Sequence, residues 1–98
     1  MSNNSLDEYL RVYQTGDIIF REGEVGDTVL LIKSGSVEVL KGEDPHQRRL
    51  ATISDGEVVG EMALEEGEHE RTATVKAVTE VEGWRFPGPA FESLIDKD

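Results

Sequence analysis

The chain of 98 residues has no cysteine, one tryptophan, three prolines and two histidines. The absence of cysteine excludes disulfide staples, thiolate zinc sites and cysteine nucleophiles, and permits a reducing compartment. Cations are scarce as well: 10 Lys and Arg stand against 21 Asp and Glu, for a formal charge of −11. A field of that sign opposes sequence-independent attraction to DNA, RNA or anionic lipid, so neither nucleic acid nor a membrane surface is expected as a direct partner. No apolar run is long enough to cross a bilayer. The opening Met1 to Leu10 carries Asp7 and Glu8 and lacks the apolar stretch of a signal peptide, which makes a cytoplasmic location the expectation. The length leaves room for one small domain, residues 1–98 with a core of about 12–95, and none for a second catalytic or DNA-binding module.

What is present, from Val12 to Phe86, is a series of short apolar or alternating runs closed by Gly, Asp or Ser. These are Ile18 to Phe20, Val29 to Ile32, Val37 to Leu40, Leu50 to Ile53, Val58-Val59, Thr72 to Val78 and Val81 to Phe86. Period-two alternation in Val37-Glu38-Val39 and from Thr72 to Ala77 is the pattern of half-buried antiparallel strands. Gly16-Asp17, Gly23, Gly26-Asp27, Gly35 and Asp55-Gly56 supply the turns. The expectation is an all-β sandwich or barrel with an exposed hairpin loop at Gly42 to Arg49. Helix is confined to three places. A capping-box pattern of Ser5 with Glu8 predicts a short helix to Leu10, a helical turn is expected at Met62 to Glu65, and Pro89 opens a helix to Ile95. Trp84 and Phe86 share a strand face and read as core or helix-packing residues.

The segment richest in chemistry runs from Gly60-Glu61-Met62-Ala63-Leu64 to Arg71-Thr72-Ala73. A strand that ends in Gly and opens a helical turn exposes backbone N–H groups, and with an Arg nearby it is suited to an anion such as phosphate. Glu61 can accept from a hydroxyl, and Thr72 offers one of its own. One carboxylate and one guanidinium describe a ligand with both a phosphate and a sugar hydroxyl. Standing alone, however, such a pair is more often a set of surface charges or an internal ion pair.

From about Tyr13 to Phe91 the sequence resembles the cyclic nucleotide-binding domain family, of the catabolite activator protein and kinase regulatory subunit type. The resemblance rests on three signatures in order. The first is Gly16-Asp17-Ile18-Ile19 with Gly23, Gly26-Asp27, Val29 to Ile32, Gly35 and Val37. The second is Ile53 to Leu64, and the third is Arg71-Thr72-Ala73. It implies an antiparallel β jelly roll (a double-stranded β-helix) with short flanking helices and a phosphate-binding cassette from Gly60 to Thr72. Carried onto this chain, it has Glu61 accept from the ribose 2′-OH and Arg71 pair with the cyclic phosphate. The N–H groups of Met62 and Ala63 assist, and the Thr72 hydroxyl reaches the phosphate or a syn purine. Many members have Pro where this chain has Glu70. Members also continue into a longer helix over the base; with twelve residues after Phe86, that lid helix is expected to be missing.

Other chemistry finds no support. His46 and His69 sit in charged loops, and Glu65, Glu66, Glu68 and Glu70 lack the spacing of a calcium loop. No nucleophile elbow, Lys-containing phosphate loop or zinc-protease motif occurs. The expectation is therefore a non-enzymatic sensor of cAMP or cGMP without a metal or cofactor, in contact with a possible protein effector. The alternative is a degenerate form of the same fold that serves as a protein-interaction module. Arg71 is expected to dominate binding, since no other cation lies near it in the cassette.

Overall fold

The computed structural model describes residues 5–61 and 69–95. The runs closed by glycine fold into strands β1 (Leu10–Tyr13), β2 (Ile18–Phe20), β3 (Thr28–Ser34), β4 (Val37–Lys41), β5 (Arg48–Ile53), β6 (Val58–Val59), β7 (Thr74–Ala77) and β8 (Val81–Pro87). A 3₁₀ turn, Ser5–Tyr9, precedes them and a helix, α1 (Gly88–Ile95), follows. One sheet has the order β1-β8-β3-β6 and the other β2-β7-β4-β5, with every pairing antiparallel. This is the expected jelly roll.

The core follows from strand alternation. Leu30 and Ile32 of β3, Val59 of β6 and Val81 of β8 face Ile19, Phe20, Val37, Val75 and Ala77 of the opposite sheet in one buried cluster. Removing such side chains from water is the main force that joins the two sheets. The alternate residues of β3 and β8 point the other way, with Val29 opposite Phe86 and Leu31 opposite Trp84. Phe86 is buried there beneath Tyr9, whose ring lies 4.9 Å from its own, so this aromatic pair anchors the flanking helical turn.

The elements differ from the sequence expectations at their edges. Leu10 opens β1 instead of closing a helix, because the Leu10–Tyr13 backbone pairs with Val81–Trp84 of β8. Arg48 and Arg49, read as loop, are strand residues opposite Lys41 and Leu40. Thr72 and Ala73 lie before β7, not in it. Their neighbourhood is held elsewhere: the Gly23 N–H donates to Arg71 O, and Lys41 Nζ donates to Thr72 O. The turn expected at Met62 to Glu65 falls outside the described residues. Pro89 stands in the first turn of α1, where its missing N–H costs nothing. No helix among the described residues is long and apolar enough to cross a membrane.

Candidate functional site

A cleft of about 220 Å³ opens beside the β2-β7-β4-β5 sheet. Val39, Ala51, Ile53, Val58 and Val75 give it apolar walls, and Gly60, Glu61, Arg71 and Thr72 bring polar groups to the same space. The structure therefore places four of the six site residues expected from sequence around one cleft. The other two, Met62 and Ala63, lie outside the described residues. Glu61 is half-buried, and Thr72 is exposed.

Arg71 arrives there because its main chain is tied to the turn between β2 and β3. The Arg71 N–H donates to Glu24 O at 2.8 Å, Gly23 N–H donates to Arg71 O at 2.9 Å, and Val25 bridges Glu70. From this anchor the side chain runs inward and is only 5% exposed. Its Nη1 donates to Gly60 O at 3.1 Å, and Nη2 donates to Thr28 O at 2.8 Å and Thr28 Oγ1 at 3.2 Å. The guanidinium carbon lies 3.9 Å from the centroid of the Phe20 ring, a cation–π contact. All these partners are neutral, and among the described residues no carboxylate comes within ion-pair distance of Arg71. Burial pushes its pKa below the ordinary arginine value, and the charge of Arg85 pushes in the same direction, while Asp27 and Glu24 oppose both through space.

Two glycines make this packing possible. Gly60 has φ +95°, and a Cβ there would come within 2.7 Å of the Phe20 ring and 3.2 Å of Arg71 Nη1. A Cβ on Gly26 would stand 3.2 Å from Arg71 Nη2. Both keep the backbone close around the guanidinium.

A charge-balanced brace supports the main chain at Thr72. Lys41 Nζ donates to Thr72 O at 2.6 Å and pairs with Glu22 at 3.2 Å. Glu22 Oε1 accepts from the Gly42 N–H at 2.9 Å, and the Glu22 N–H donates to Thr74 Oγ1 at 3.0 Å. The Gly42 N–H, and after it Lys41, hold the Glu22 carboxyl below its ordinary pKa.

Sequence reading missed Arg85. The expectation that no other cation lies near Arg71 concerns the Gly60 to Thr72 cassette alone, and Arg85 comes from outside it. From β8 its guanidinium carbon lies 4.6 Å from the same Phe20 ring, and its Nε donates to the same Thr28 Oγ1 at 2.9 Å. Its signal was available: Val81, Gly83 and Arg85 share one face of β8 by period two, and a cation at an inward position calls for an explanation.

The structure is thus a jelly roll with an apolar cleft that ends at the buried Arg71 guanidinium, which among the described residues has no carboxylate within ion-pair distance. The model of the cyclic nucleotide-binding domain family matches residues 10–98. The cAMP-dependent protein kinase regulatory subunit of Schizosaccharomyces pombe is 35% identical over 94% of this chain and 24% of its own length. The catabolite activator protein of Thermus thermophilus superimposes with a TM-score of 0.77 at 32% identity, covering 92% of this chain and 43% of that one. An EAL enzyme, solved in cAMP-bound and cGMP-bound forms, superimposes with a TM-score of 0.79 at 27% identity over 91% of this chain and 24% of that one. The chain belongs to the cyclic nucleotide-binding domain family. It spans about a quarter or less of the length of the curated relatives it matches.

Proposed function

We propose that the chain binds cAMP or cGMP in this cleft and acts as a regulatory module, by occupancy and not by turnover. The observation that carries the reading is Arg71, a buried cation on neutral acceptors at the end of an apolar cleft. A buried charge without a counter-ion is costly, and an anionic ligand removes that cost. In this reading Arg71 meets the cyclic phosphate through a charge-assisted pair and Glu61 accepts from the ribose 2′-OH. Gly60 allows the close backbone approach, and the Thr72 hydroxyl serves the phosphate or the base. The N–H groups of Met62 and Ala63 complete the cassette, as the family resemblance implies. The apolar residues Val39, Ile53 and Val58 give a purine a dry surface.

The relatives support both nucleotides, since the EAL enzyme was solved with each, and the regulatory subunit of the kinase points to a protein effector that reads the occupied state. Thermal unfolding of the chain with millimolar cAMP, cGMP or adenosine tests the proposal. At a ligand concentration about 100-fold above Kd, linkage stabilises the fold by roughly 2.7 kcal/mol. For a domain of this size the midpoint rises on the order of 10 °C. A rise with a cyclic nucleotide and little with adenosine is expected. No rise with either cyclic nucleotide, in a sample shown to be folded, overturns the reading and leaves a protein-interaction module.

A further inference from the structure

Arg85 and Arg71 form a pair of like charges around one ring and one hydroxyl. Their guanidinium carbons lie 4.6 and 3.9 Å from the Phe20 centroid, and both donate to Thr28 Oγ1, at 2.9 and 3.2 Å. Arg85 Nη1 also donates to the Tyr13 hydroxyl at 3.1 Å and to Ile19 O at 3.4 Å, acceptors neutral like those of Arg71. Among the described residues neither guanidinium has a carboxylate within ion-pair distance, in a chain whose formal charge is −11. Arg85 does not line the cleft; Arg71 does.

Two cations held together in this way repel, and the fold tolerates the repulsion by distributing it over neutral acceptors and a ring face. An anion arriving at Arg71 meets the field of both charges. Through Thr28, Arg85 also fixes which way the shared hydroxyl presents its lone pairs, and hence where Arg71 Nη2 sits. A neutral residue at position 85 would leave Thr28 Oγ1 free to turn and would halve the positive charge behind the site.

We propose that Arg85 is a positioning residue for the cyclic nucleotide site, acting through Thr28 and Phe20 to hold Arg71 and to add a second positive charge toward the ligand phosphate. The inference rests on the binding reading above. It assigns part of the phosphate affinity to a strand that lies outside the cassette.

Calorimetric titration of the wild type, Arg85→Met and Arg85→Lys with cAMP and with cGMP, at low and at high potassium chloride, tests it. Arg85→Met is expected to bind about three- to tenfold more weakly at low salt, with a flatter salt dependence. Arg85→Lys keeps the charge and stays close to the wild type. If the wild type binds and Arg85→Met matches it in affinity and salt dependence, this inference falls while the binding reading stands. If Arg85→Lys is as weak as Arg85→Met, the charge is not what acts and the inference falls as well. A wild type that binds neither nucleotide overturns both. Should Arg85→Met fail to fold, the Arg85 Nε–H resonance of the wild type decides: it shifts when the nucleotide binds, and an unmoved resonance overturns the proposal.

Discussion

Two cationic clusters of this fold, around Lys41 and around Arg71, are built in opposite ways. Around Lys41 every charge is balanced: the ammonium has Glu22 at 3.2 Å, and Glu22 in turn accepts the Gly42 N–H. Around Arg71 and Arg85, among the described residues, no carboxylate pairs with either guanidinium, and both rest on carbonyls, hydroxyls and one aromatic ring. Exposed, paired charges contribute little to stability and serve mainly to fix geometry. Buried, unpaired charges reduce stability unless something else neutralises them. The Lys41 cluster is therefore complete as it stands, whereas in the proposed reading a ligand completes the Arg71 cluster.

Replacing Arg71 by Ala should break this contrast most sharply. The rise in melting temperature with millimolar cAMP or cGMP should vanish, while the unliganded protein still unfolds cooperatively, because the lost hydrogen bonds are offset by removal of a desolvated charge. A rise that survives Arg71→Ala, followed by the same thermal scan, would mean that the nucleotide binds elsewhere. Next in size is Gly60→Ala. With φ at +95° and a Cβ within 2.7 Å of Phe20, it should lower stability by about 1–3 kcal/mol and blunt the ligand-induced rise, as paired scans with and without nucleotide would show.

Glu61→Gln should follow, weakening nucleotide binding by about 1.5–3 kcal/mol in a titration, since it removes a charged acceptor from the ribose hydroxyl. Binding unchanged in Glu61→Gln would assign that hydroxyl to another partner. The smallest effect belongs to the balanced cluster. The Glu22 carboxyl is depressed in the folded state, so its contribution is present above the unfolded carboxylate pKa and lost as pH falls through the folded value. Glu22→Gln should flatten the acid limb of melting temperature against pH and leave the nucleotide-induced rise intact. An acid limb identical to that of the wild type would remove Glu22 from the account.

Much of this was legible in the residues. Glycine-bounded alternating runs gave the antiparallel strands, since β alternation and turn chemistry are local properties of a few neighbouring residues. Arg71, Glu61 and Thr72 were candidates because they sit in one stretch of chain with the chemistry an anion and a sugar need, and the family resemblance implied their roles; the structure brings the three to one cleft. The strand expected over Thr72 to Val78 started two residues late. Its first residues lie where Lys41 Nζ takes the Thr72 carbonyl and the turn after β2 holds Arg71, and contacts over such sequence distances leave no periodic trace. The period of β8 marks Arg85 as inward-facing, but nothing local shows that it meets the ring of Arg71, fourteen positions earlier in the chain.

By itself the sequence determined the class of fold, the sign of the net charge and the family, because hydrophobic period, net charge and local motif are properties of the chain before it folds. Only the tertiary structure decided that Arg71 is buried on neutral oxygens, that Arg85 shares its ring and hydroxyl, and that Lys41 is satisfied by Glu22. Those outcomes depend on which side chains of β2, β3, β4 and β8 meet when two sheets close on a common core. The balance between burial and pairing that sets the two clusters apart exists only after that closure.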